Sequence, residues 1–164
     1  MDYSRFEALQ NKSLGDNGTE QERMEDFFRQ LCADDSGQQE RINEKMKPEF
    51  LSCDAAEKKL SILFMPELWQ ANPSSYLHGG MIATAVDITA GLLVKFIAKS
   101  NEAVTVEMNC NYLRAIPIGQ PYCATAQAVK TGKTLYFVNV LVELLDQEKP
   151  AATATLVYMD VKKS

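Results

Sequence analysis

The sequence contains one histidine, one tryptophan and four cysteines among 164 residues. The shortage of histidine removes several chemistries at once. With only His78 available, and no two cysteines in a Cys-x-x-Cys pair, a zinc site lacks its ligands. No metal and no cofactor are expected. Cys32, Cys53, Cys110 and Cys123 are scattered along a chain long enough to bury a core without crosslinks. They read as reduced thiols, and a cytoplasmic protein is the expectation. The first residues show no basic region followed by an apolar run, so no secretory signal is expected. The most apolar stretch, residues 79–94, is short and interrupted by Asp87, which argues against a membrane partner. Net charge is −5, and without a basic excess a nucleic-acid partner is not expected. No Gly-x-Ser-x-Gly elbow occurs, so a hydrolase built on that nucleophile is unsupported. Gly132-Lys133-Thr134 is no phosphate loop either, because Gln127 stands where the first glycine belongs.

The charge that is present is uneven. Residues 1–52 hold twelve acidic and seven basic side chains, and the remainder holds ten of each. The neutral remainder need not repel an anionic ligand. Residues 1–52 read as a polar, helical N-terminal extension. Met24, Phe27, Phe28 and Leu31 fall on one helix face, Thr19 or Asn17 is placed to cap its start, and Asp34–Gly37 breaks it. A second helix is expected from Gln38 to Lys47. This extension is expected to pack on the main domain or on a partner subunit.

Residues 53–164 have a different texture. Leu60–Met65 reads as a strand ending at Pro66. An irregular loop follows, in which Trp69 and Tyr76 are expected to pack. Residues 79–99 form one helix with apolar residues around most of its circumference, as in a helix buried on most sides. Four strands follow, near 104–112, 121–130, 135–145 and 152–161. The first has the cleanest period-two alternation in the chain, with Val104, Val106, Met108, Cys110 and Tyr112 against Thr105, Glu107, Asn109 and Asn111. Short turns make the strands antiparallel neighbours. One long apolar helix and one antiparallel sheet predict an α+β hotdog fold, with the sheet wrapped around the helix.

Two features carry chemistry. Asp87 lies mid-helix among apolar residues, where a carboxylate is costly unless paired or used. His78-Gly79-Gly80 opens the same helix. Two glycines there make sense if something approaches the backbone closely, and a helix start offers free N–H groups to a polarised carbonyl. Nine residues of helix span about 13–14 Å and about 2.5 turns. His78 and Asp87 of one chain therefore cannot both reach one atom. Two copies related by a two-fold axis can supply one each, which predicts a homodimer with two interfacial sites.

The spacing Asn72-x5-His78-Gly-Gly-x6-Asp87, with Thr105-Val-Glu-Met-Asn-x-x-Tyr112 and Lys130-Thr-Gly-Lys-Thr-Leu135, resembles the PaaI-type and THEM-type hotdog acyl-CoA thioesterases. The resemblance covers about residues 58–162 and implies roles. The Gly79 amide would polarise the thioester carbonyl, with Gly80 beside it. Asn72 would hold that carbonyl or the attacking water, and His78 would orient Asn72. Asp87 of the other subunit would be general base or nucleophile. Thr105 would position the water or the carboxylate. Lys130, Gly132 and Lys133 lie on a hairpin turn that either carries exposed lysines only or contacts the phosphates of CoA. The loop before His78 lacks the glycines often found there in the family. A thioester needs an oxyanion site and a base rather than a full triad, which suits these residues. The expected partners are acyl-CoA and a second copy of the chain, with a dimer of dimers open. Two rivals stay open: a hotdog dehydratase or hydratase using His78 and Asp87 as acid and base, and a non-catalytic acyl-CoA sensor.

Overall fold

The computed structural model describes residues 18–33, 41–146 and 149–162, together with Ala8, Leu9 and Lys12. Helix α1 (Glu20–Cys32) begins in a capping box. The Thr19 hydroxyl accepts from the Glu22 amide, and the Glu22 carboxylate accepts from the Thr19 amide at 2.8 Å, satisfying two first-turn donors reciprocally. Its buried face is Met24, Phe27, Phe28 and Leu31, as the spacing predicts. Phe27 and Phe28 lie against Phe96, with ring centroids 5.3 and 5.4 Å apart, and Phe28 stacks on Phe50. Gln21 adds a polar clasp, donating to the Cys53 carbonyl and accepting from the Ala55 amide. Helix α1 is therefore built into the core.

Two expectations for this region change. Glu49–Asp54 is a strand, β1, so the boundary drawn between residues 52 and 53 falls inside an element of the sheet. Its alternation is hidden because all six of its residues are exposed or half-buried. The second helix shortens to α2 (Ile42–Lys45). Residues 38–40 of the expected helix, the Asp34–Gly37 break and the alternative cap Asn17 lie outside the described residues.

The remaining strands are β2 (Lys59–Phe64), β3 (Ala103–Tyr112), β4 (Tyr122–Thr131), β5 (Leu135–Leu144) and β6 (Lys149–Asp160). They form one antiparallel sheet in the order β1-β2-β4-β5-β6-β3. The sheet wraps helix α3 (Gly79–Ala98), the hotdog arrangement. Along α3, Ala85, Val86, Ala90, Leu93 and Val94 are fully buried. By length and composition α3 is the one described helix apolar enough to cross a membrane, and more than half of its apolar window lies inside the fold as core.

Strand β3 closes the sheet on one side and, among the described residues, pairs only with β6. Val104, Val106 and Met108 on it are exposed. A register shift between Thr105 and Glu107 makes Val106 an extra residue. Before the shift Thr105 pairs with Tyr158, and after it Met108 pairs with Leu156 and Tyr112 with Ala152. Cross-strand partners share a face, so Thr105 faces α3 together with Met108, Cys110 and Tyr112. Simple alternation over residues 104–112 puts Thr105 on the opposite face. The bulge overturns it.

Candidate active site

The start of α3 is organised by its own sequence. His78 is the N-cap, with extended backbone, and its Nδ1 accepts from the Gly80 amide at 2.9 Å. An acceptor Nδ1 places the ring proton on Nε2. The Met81 and Ile82 amides donate back to the His78 carbonyl. Of the first-turn donors, only the Gly79 N–H has no acceptor among the described residues. A β-carbon at Gly79 would stand 3.4 Å from the Tyr112 ring. The free amide thus sits beside an aromatic wall from the end of β3.

Asn72 is held in the preceding loop. Its Oδ1 accepts from the amides of Ser74 (2.9 Å) and Tyr76 (3.1 Å), and its own amide donates to the Tyr76 carbonyl. A bridge between Ala71 and Leu77 closes the base of the loop. This differs from the expectation that His78 orients Asn72. Among the described residues no hydrogen bond joins the two, because His78 Nδ1 is committed to the helix cap and Asn72 Oδ1 to its own turn. The side-chain NH2 of Asn72 remains as the group that can donate outward. Gly80, expected at the substrate, has its amide occupied by His78.

Asp87 lies half-buried, two turns further along α3. The Thr105 hydroxyl donates to its Oδ1 at 2.6 Å. The Tyr158 hydroxyl is 2.7 Å from the same oxygen and 2.9 Å from the Asp87 carbonyl. No described residue donates a hydrogen bond to Oδ2. Burial first, and then the Asp87 carboxylate beside it, push the Tyr158 hydroxyl far above the ordinary phenol range, so it stays a donor. Lys95, two turns beyond Asp87, is pushed down by burial, opposed by the attraction of Asp87. Tyr158 is the site residue that sequence reasoning missed. The available signal was a tyrosine at an inward position of β6, following Ala152, Ala154 and Leu156, where a buried phenol needs a partner.

This arrangement pairs a free amide at a helix start with a carboxylate held on one oxygen. The chain that carries it is similar to known proteins. The family model for the thioesterase superfamily matches residues 75–151. Mouse acyl-coenzyme A thioesterase 13 is 35% identical over 86 residues, 52% of this chain and 61% of that protein. Rat acyl-coenzyme A thioesterase THEM4 is 29% identical over 110 residues, 66% of this chain and 46% of that protein. The crystal structure of zebra fish thioesterase superfamily member 2 superposes with a TM-score of 0.68 at 25% identity, covering 87% of this chain and 99% of that one. The chain is similar to the thioesterase superfamily over residues 75–151. It spans about half to three fifths of the length of the two curated relatives.

The other residues singled out in the sequence make none of the hydrogen bonds to Asp87. Lys130 is exposed, with its ammonium 5.8 Å from the centre of the Phe137 ring, and Lys133 is exposed on the β4–β5 turn. The Gly132 amide donates to the Leu135 carbonyl, and a β-carbon there would come within 2.9 Å of that oxygen. The turn alone accounts for this glycine, and its amide is not open to a ligand. Trp69 and Tyr76, expected to pack, are both nearly half exposed. The four cysteines are free, and burial raises the Cys32 thiol to about 12 and, as the largest influence, the Cys53 thiol to about 11, which keeps them protonated and unreactive.

Proposed function

We propose that the protein is an acyl-CoA thioesterase, hydrolysing a thioester to free acid and CoA at two sites shared across a homodimer. The observation that carries this is the placement of two half-sites along β3. Gly79, with its free amide, abuts Tyr112 at one end of the strand, and Asp87 is bonded to Thr105 at the other. Within one chain the eight residues from Gly79 to Asp87 separate them by about 12 Å of helix. Among the described residues the outer edge of β3 has no strand paired to it and is apolar, a surface that a second strand covers. Antiparallel pairing of β3 with its copy about a two-fold axis near Met108 and Asn109 sets Thr105 of one protomer opposite Tyr112 of the other. Asp87 of one then approaches Gly79 of its partner.

At such a site the Gly79 amide and the helix dipole stabilise the oxyanion that forms on the thioester oxygen. The Asn72 NH2 is the neighbouring donor for that oxygen or for water. Asp87 acts in one of two ways. As general base it takes a proton from water while the water oxygen bonds to the acyl carbon. The carbon–sulfur bond then breaks, and the proton passes to the departing thiolate. As nucleophile its Oδ2 bonds to the acyl carbon and expels the thiolate, and water cleaves the resulting anhydride. His78 caps the helix through Nδ1 and carries its proton on Nε2, so the ring has no lone pair left to serve as the base of a dehydratase.

The test is thiol release from a panel of acyl-CoA esters, aryl and fatty, with the purified full chain. Steady turnover of at least one supports the proposal. Binding of acyl-CoA without release of thiol favours the sensor, and hydration of an enoyl-CoA without thiol favours the hydratase.

A further inference from the structure

We propose that Tyr158 is a positioning residue that, together with Thr105, pins Asp87 by its Oδ1 and leaves Oδ2 as the oxygen that reacts. The proposal rests on the thioesterase function proposed above. It starts from an asymmetry. Both hydroxyl contacts to the carboxylate, at 2.6 Å from Thr105 and 2.7 Å from Tyr158, fall on the same oxygen. Their donors come from two different strands that face each other as a cross-strand pair. A carboxylate held at one oxygen by two donors from a sheet keeps one rotamer, and its other oxygen is directed away from both.

The surroundings fit this use of a tyrosine. Tyr158 is 2% exposed, and its phenol has no water to prefer over Asp87. One turn after Asp87 stands Gly91, where a β-carbon would lie 3.5 Å from the Tyr158 hydroxyl and 3.7 Å from the ring. The ring rests on the helix backbone because no larger side chain separates them. The hydroxyl also meets the Asp87 carbonyl at 2.9 Å, so it bridges backbone and side chain of the same residue. The β-bulge at Val106 is what turns Thr105 inward to join it.

The test uses Tyr158→Phe, which keeps the ring and removes the hydroxyl, in the parent and in an Asp87→Asn background. We expect kcat to fall about 10-fold with KM changed less than about 2-fold, in line with loss of one hydrogen bond to a charged group. In the Asp87→Asn background the same change should have no further effect, because Tyr158 acts only through the carboxylate. Equal kcat in Tyr158→Phe and parent, or the same loss with and without Asp87, overturns the proposal. An activity-free measurement keeps it separate from the thioesterase function. With 13C-labelled aspartate, the Asp87 carboxyl resonance is identified by its absence in Asp87→Asn, and it should move in Tyr158→Phe. A parent that hydrolyses no thioester overturns the function proposed above. The pinning of Asp87 is then decided by the resonance alone, and an unmoved resonance overturns it.

Discussion

Thr105 and Tyr158 stand opposite each other across the β3–β6 ladder, and both reach the same oxygen of Asp87. The carboxylate at the middle of the buried helix is therefore held from the sheet, while the free Gly79 amide lies at the helix start against Tyr112.

Asp87→Asn keeps the shape of the side chain and removes the base or nucleophile. We expect kcat to fall by at least about 10²-fold, the range for loss of a general base, with little change in KM. Thiol release under saturating acyl-CoA measures it, and turnover equal to the parent contradicts the assignment.

Gly79→Pro deletes the N–H and adds a ring whose β-carbon would stand 3.4 Å from the Tyr112 ring, ordinary van der Waals contact. Proline suits the first position of a helix, and His78 already has the extended backbone, φ −63 and ψ 136, that a following proline requires. We expect a kcat loss of about 10²–10³-fold, typical of losing one oxyanion donor, with a melting temperature close to the parent. A large loss of stability without a kinetic effect contradicts the role of this amide.

Met108→Asp tests the strand edge. Met108 lies near the expected two-fold axis and is 40% exposed. The two carboxylates would be diagonal neighbours across the seam close to the axis, where like charges repel and disfavour pairing. We expect a monomer by sedimentation and loss of most thioesterase activity. An active monomer contradicts the shared site.

The fold was largely legible in the sequence, because its signals are strong and local. The α3 apolar run, the hairpin turns and the one-sided face of α1 each follow from periodicity. What was hidden has physical reasons. Strand β1 lies at a sheet edge with no buried residue, so no alternation marks it. The bulge at Val106 inverts the facing of Thr105 relative to Met108, and a one-residue register change leaves no mark in composition. Asp87, Gly79 and His78 were visible because a carboxylate and a glycine pair are costly on a buried helix. Tyr158 was not, because a tyrosine in a strand is ordinary until its hydroxyl is seen to meet a carboxylate.

The N-terminal segment provides a stability test. Phe28 is fully buried between α1, Phe50 and Phe96. Phe28→Ala should cost about 3–5 kcal/mol, seen as a lower melting temperature and denaturation midpoint. An unchanged midpoint would show that α1 is not part of the cooperative unit.

The central claim is that one protomer's Gly79 works with its partner's Asp87. Mixing the two inactive variants, Asp87→Asn and Gly79→Pro, by unfolding and refolding them together tests it most directly. In a mixed dimer one site then contains both native groups and the other contains neither. With random pairing, half the dimers are mixed, so activity should return to about one quarter of the parent. A mixture as inactive as its two components contradicts the shared site and places each site within a single chain.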